Sequence, residues 1–375
     1  MKKTFYIVSA LLIIVAVALG YYIFLNYRAV EQLPVVPVAN TKGLVLLEDW
    51  QKQQNVDTAE PAKPQEAGKT ISLFAVGDIM LSRNVGQKMV EYKDYHYPFL
   101  KLKNLISAAD ISFGNLESPI VAGAPVKEGS FLFRADPASA ESLAFAGFDM
   151  LSLANNHILN QGKAGLDKTI NYLSEQNVGY CGAEKKAGDR LKIFTADDFK
   201  VGFFCYSYGP TGLPAGQAGS ADVFEMNQKQ LLADLKSATT AGGRGPAQSG
   251  KGKADFIVVS MHDGVEYSHD NSVHQAEFAR AAIDSGADLV IGHHPHVIQN
   301  MEQYKGKYIF YSLGNFVFDQ MWSLDTRQGV AVKFVITKSG VQSIEYYPIM
   351  IDDYSQPRLA NDSERGAILK YLKLK

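Results

Sequence analysis

GADLVIGHHPHVIQNMEQYKGKYIFYSLGNFVFDQ, residues 286–320, holds two short apolar runs that each stop at glycine and polar, chemistry-bearing side chains. Residues 289–291 lead into Gly292-His293-His294-Pro295-His296, and residues 308–312 lead into Gly314-Asn315. A short, continuous apolar run with turn residues behind it reads as a buried strand. In α/β sheets, ligands gather beyond the carboxyl ends of the strands. The polar residues that follow these runs are therefore the first candidates for a functional site.

The same pattern recurs along the rest of the chain. Residues 71–76 end at Gly77-Asp78, and residues 110–113 at Gly114-Asn115-Leu116-Glu117. Residues 149–154 end at Asn155-Asn156-His157, and residues 256–261 at His262-Asp263-Gly264. Helical spacing occupies residues 165–176, 227–237 and 273–285 between them. Strands alternating with helices predict an α/β fold with helices on the sheet faces. Residues 192–207 read as a hairpin turning at Ala196-Asp197-Asp198. Residues 329–350 read as two β-rich stretches joined through Lys338-Ser339-Gly340, forming a second sheet or an antiparallel edge. Residues 239–253 are glycine-rich, but they lack the entering strand, spacing and following helix of a phosphate-binding loop, and read as surface loop.

Five of the eight histidines (His157, His262, His293, His294, His296) fall in the polar clusters. The other three, His96, His269 and His274, are expected to be solvent-exposed. Taken singly, each cluster has an ordinary structural explanation: Asp78 as a turn or cap residue, the asparagines as turn residues, His262 as a hydrogen-bonded core histidine. The pair His294-x-His296 is stronger, because residues i and i+2 of an extended segment point to one side and Pro295 restrains the backbone between them. Carboxylate, carboxamide and imidazole donors without a thiolate suit Mn, Fe or Zn.

Lys2 and Lys3 precede an apolar run from Phe5 to Leu25, about the length needed to cross a bilayer as a helix. It reads as an uncleaved signal-anchor; the competing reading is a cleaved signal peptide ending near Ala16-Val17-Ala18. Lysines on the inner side place the rest of the chain outside the membrane. The expected organisation is residues 1–27 as cytoplasmic tip and anchor, 28–69 as a proline-containing flexible linker, 70–350 as the folded ectodomain and 351–375 as a C-terminal extension. A net charge of −2 with mixed signs argues against nucleic-acid binding. Cys181 and Cys205, the only cysteines, lie in apolar stretches and are read as buried free thiols in preference to a disulfide.

AVGDIMLSR, ISFGNLESPI, DMLSLANNHILNQGKAGLDKTINYL, MHDGVEY and the opening stretch together resemble the CapA (PgsA) family of capsule and poly-γ-glutamate synthesis proteins, over about residues 70–320. That family is in turn similar to the calcineurin-like metallophosphoesterases. The resemblance implies a sandwich of two β-sheets flanked by helices, preceded by an N-terminal transmembrane helix. It implies one or two divalent ions held by Asp78, Glu117, Asn156, His262, His294 and His296, with His157 as general acid. Arg83, Asn115 and Asn315 are candidates for contacting substrate. Departures stand out: Met80 occupies a histidine position, GNLE replaces GDxxD, Asn160 stands where aspartate is usual, and Asp263 where tryptophan is common. Two functions follow as expectations. One is an outward-facing subunit of a capsule synthetase complex that handles an anionic polymer such as poly-γ-glutamate. The other is a metal-dependent hydrolase of phosphorylated or cell-surface substrates.

Overall fold

The computed structural model describes residues 69–184, 190–209, 223–240 and 254–373. The expected signal-anchor, its linker up to residue 68 and residues 241–253 of the glycine-rich stretch lie outside the described residues. Among the described residues, no helix is long and apolar enough to cross a membrane.

The chain first lays down β1 (Ile71–Ile79), β2 (Ile111–Leu116), β3 (Met150–Ser152) and β4 (Gly179–Cys181), parallel neighbours in one sheet. It then crosses to a second sheet. There β5 (Lys192–Ala196) and β6 (Phe199–Ser207) form the expected hairpin, followed by β7 (Phe256–His262), β8 (Leu289–His293), β9 (Met301–Tyr304) and β10 (Lys307–Phe310). The spatial order of this sheet is β5-β6-β7-β8-β10-β9. Finally β11 (Asn315–Val317), β12 (Gln328–Thr337), β13 (Gly340–Asp352) and β14 (Gln356–Leu359) return to the first sheet, whose order becomes β14-β13-β12-β1-β2-β3-β4, with β11 paired to the end of β1. The β-rich tail is thus an antiparallel edge, because β12 pairs antiparallel with β1. The chain continues past it through β14, and a helix from Asp362 to Leu369 buries Ile368 in the core.

Strand alternation sorts the apolar side chains into layers. Leu73 and Ala75 of β1 share one buried cluster between the sheets with Val201, Phe203 and Cys205 of β6 and Val258 of β7. Phe113 of β2 stacks on Phe203 of β6 with ring centroids 5.3 Å apart, one aromatic from each sheet. Phe74 and Val76 point the other way, onto helices Arg83–Glu91, Ala138–Ala146 and Gly162–Glu175. On the far face of the second sheet, Phe204, Tyr206, Ile257 and Val259 pack against helices Gln228–Thr240 and Val273–Asp284. The result is a two-sheet sandwich with helices outside both sheets, as the resemblance implied.

Gly77 and Gly292 are among the glycines required by close backbone approach. A Cβ on Gly77 would lie 1.8 Å from the Gly314 carbonyl oxygen, and one on Gly292 would lie 2.0 Å from that of Tyr311. Only glycine lets the ends of β1 and β8 come this near the segment before β11.

Two expectations need correction. Cys181 and Cys205 are joined in a disulfide, with Cα atoms 5.6 Å apart. β4 and β6 belong to different sheets, and both side chains point into the layer between them; local sequence carries no sign of that meeting. Of the three outlying histidines, only His274 is exposed. His96 stacks on Phe145 at 3.9 Å and His269 on Tyr371 at 3.7 Å, each half-buried.

Candidate metal centre

The strands run further than their apolar cores. Asp78, Asn115, His262 and His293 occupy the last rungs of β1, β2, β7 and β8. Register then aligns them: Asp78 lies opposite Asn115 on one side and Asn315 on the other, and His262 lies opposite His293. Parallel pairing brings the carboxyl ends of these strands to one end of the sandwich, which is how donors remote in sequence meet.

Asp78, Glu117 and His262 each offer a ligand atom, all within 4.8 Å of one another and all buried. His296 adjoins them, with Nδ1 3.5 Å from Asp78 Oδ2 and Nε2 3.7 Å from Glu117 Oε1. The backbone N–H of His294 donates to Asp78 Oδ2 (3.2 Å), and its ring centroid lies 4.8 Å from that of His262. Asn156 Oδ1 lies 2.9 Å from His262 Nε2. All six expected ligands therefore meet in one place. The reason for the His294/His296 pairing differs from the extended segment expected. Both residues have positive φ, 101° and 59°, a backbone conformation costly for non-glycine residues and concentrated at functional sites.

The carboxamides organise this ring. Asn115 Nδ2 donates to Asp78 Oδ1 (2.8 Å), lies 3.3 Å from Glu117 Oε2 and 3.3 Å from His262 Nδ1, while Asn155 Nδ2 donates to Asn115 Oδ1 (3.2 Å). Asn315 Oδ1 lies 3.0 Å from His296 Nδ1, and its own Nδ2 donates to the Thr326 carbonyl. That orientation makes His296 Nδ1 the donor and leaves Nε2 turned toward Glu117, the usual way a ligating histidine is held from behind. Asn115 and Asn315 are wholly buried and act within the ring. Arg83 pairs with Asp319 and lies 4.7 Å above the Phe133 ring, so its charge is already engaged. Met80 is buried in the apolar core, and its sulfur accepts from Ser82 N–H; the histidine position it occupies supplies no imidazole.

His157 stands beside the ring. It stacks on Phe133 at 3.9 Å, and its Nδ1 lies 2.9 Å from Asn160 Oδ1. Asn155, Phe133 and Asp319 were not singled out from sequence. Asn155 sits in an already suspected cluster, whereas Phe133 and Asp319 have no local signal.

Burial dominates the electrostatics. It pushes the Glu117 carboxyl well above the usual carboxylate range, and the charge of Asp78 adds to the effect. Burial also pushes Asp78 up, but the hydrogen bond from His296 and the neighbouring imidazoles outweigh it, leaving Asp78 below its ordinary value. Burial lowers His294 to about 3 and His157 to about 4, and takes His262 well below the usual imidazole range. Neutral imidazoles keep the lone pairs that metal binding requires. Among the described residues, Glu117 Oε1 and His294 Nδ1 are buried without a hydrogen-bond partner. Two adjacent carboxyls need a shared proton or a cation, and hard oxygen with imidazole nitrogen suits a divalent ion. The donor set fits a metal.

A family model described as bacterial capsule synthesis protein PGA_cap matches residues 72–320. The chain belongs to this family. Capsule biosynthesis protein CapA of Bacillus anthracis is 29% identical over 325 residues, covering 85% of this chain and 76% of that protein. PGA biosynthesis protein CapA of Bacillus subtilis is 31% identical over 299 residues, covering 78% and 75%. Among solved structures, a novel phosphatase from Mycoplasma pneumoniae aligns with a TM-score of 0.50 at 15% identity, covering 76% of this chain and 95% of that one. That likeness concerns the fold alone. The PGA_cap match spans every member of the donor ring, from Asp78 to Asn315.

Proposed function

We propose that this PGA_cap protein is a membrane-anchored, outward-facing subunit in the synthesis or export of an anionic capsule polymer such as poly-γ-glutamate, and that it binds a divalent ion. The observation that carries the metal is the buried Glu117 Oε1, which has no hydrogen-bond partner among the described residues and lies within 4.8 Å of the Asp78 and His262 ligand atoms. Asp78, Glu117 and His262 would hold the ion, with His294, His296 and Asn156 around them. A bound divalent ion supplies Lewis acidity and a water of lowered pKa. Met80 in place of an imidazole favours one ion over two. The apolar run from Phe5 to Leu25 supports anchoring, and the Cys181–Cys205 disulfide suits an oxidising, extracytoplasmic compartment.

A second reading, metal-dependent hydrolysis of phosphorylated or cell-surface substrates, is favoured by His157, which is held beside the ring without being part of it. Elemental analysis of the purified full chain, paired with a generic phosphodiester assay on wild type and His157→Ala, separates the two. The first reading expects about one equivalent of metal and no turnover. The second expects turnover that His157→Ala abolishes while metal content stays. Absence of metal under metal-replete conditions sinks both.

A further inference from the structure

We infer that Asn160 is a positioning residue that holds His157 in the tautomer protonated on Nδ1, which makes Nε2 the hydrogen-bond acceptor of the ring. The inference deepens the hydrolytic reading of His157 and takes its functional meaning from it. Phe133 N–H donates to Asn160 Oδ1 at 2.8 Å. A backbone N–H cannot accept, so the carboxamide must turn its oxygen, and not its NH2, to this point. His157 Nδ1 lies 2.9 Å from the same oxygen. An oxygen without hydrogen cannot donate, so Nδ1 carries the proton. The neutral ring then has its lone pair on Nε2.

Phe133 organises both partners. Its N–H orients Asn160 and its ring stacks on the imidazole at 3.9 Å, 23° from parallel. Gln161 Nε2 donates to the Phe133 carbonyl (3.0 Å), and Asn160 N–H donates to the His157 carbonyl (2.9 Å), closing a compact turn. The Phe131 carbonyl favours the protonated ring, more weakly than Asn160 does, while burial outweighs both. His157 and Asn160 are 8% and 7% exposed, so water does not replace these bonds cheaply. A histidine held this way accepts a hydrogen bond from water or from a hydroxyl-bearing ligand. The general-acid role expected from the resemblance would require a proton on the other nitrogen.

The test is long-range 1H–15N correlation on the full chain, 15N-labelled at histidine, at neutral pH. The His157 signals are assigned by their loss in His157→Gln. Wild type is expected to show a protonated Nδ1 and an unprotonated Nε2. Asn160→Asp, which keeps the acceptor oxygen, should retain that pattern, and Asn160→Leu should shift the tautomer ratio by at least about fivefold. An Nε2–H tautomer in wild type overturns the inference, as does an unchanged ratio in folded Asn160→Leu. Should the leucine variant fail to fold, wild type and Asn160→Asp still decide, since an Nε2–H signal in either is fatal. No activity enters the readout. An Nδ1–H tautomer in a chain without turnover would remove the hydrolytic reading alone.

Discussion

Replacing Glu117 by glutamine removes one of two buried negative charges while keeping the side chain's shape. The ligand oxygens of Asp78 and Glu117 lie within 4.8 Å, so at an effective dielectric of about 20 their mutual repulsion is about 3.5 kcal/mol when both are ionised. Uptake of a proton by Glu117, favoured by its raised pKa, relieves part of this, so Glu117→Gln should stabilise the metal-free protein by about 1–3 kcal/mol. A divalent ion reverses the sign. Wild type with metal at about a hundred times its dissociation constant should gain about 2.7 kcal/mol. At roughly 2–4 °C per kcal/mol, that raises Tm by about 5–10 °C. The variant, lacking one charged ligand, should gain little. Thermal unfolding with chelator and with Mn, Fe or Zn should therefore give crossed rankings, the variant higher with chelator and wild type higher with metal. A variant less stable in both conditions, or one that keeps the full metal shift, would overturn this electrostatic account.

Cys205→Ala opens a loop with a sequence separation of 24 and should cost about 3.5 kcal/mol in denaturant unfolding by the chain-entropy relation; unreduced wild type should show no reactive thiol. Burial raises the Asp149 carboxyl to about 6 against an ordinary 3.8, with the Ser112 N–H bond opposing. The folded state therefore binds the extra proton between those values, so this stability is full below about pH 4 and lost as pH rises through about 6. Asp149→Asn should raise Tm at about pH 8 and leave it unchanged near pH 4, which pH-dependent calorimetry reads directly. Gly77→Ala would place a Cβ 1.8 Å from the Gly314 carbonyl oxygen, separating β1 from the chain before β11. A destabilisation above about 3 kcal/mol is expected by urea unfolding, together with loss of the metal-induced shift.

Local sequence was enough to give the alternation of strands with helices and the candidate donors, but not helices Arg83–Glu91 and Ala138–Ala146 or strands β9 and β14. Apolar runs and glycines mark strand ends because a buried strand must be apolar and a close approach must lack a Cβ. Hence residues 71–76 and 289–291 were legible as strands, and Asp78 and His294 as candidates just beyond them. Strand ends were placed too early, because Asp78, Asn115 and His262 are polar yet lie inside the last rungs, satisfied by one another. What those rungs bring together was settled by the folded chain alone. Register set Asp78 between Asn115 and Asn315, positive φ aimed His294 and His296, and sheet packing joined Cys181 to Cys205. Each is a long-range relation, fixed by pairing and by the layer between the sheets, which no local stretch of sequence encodes.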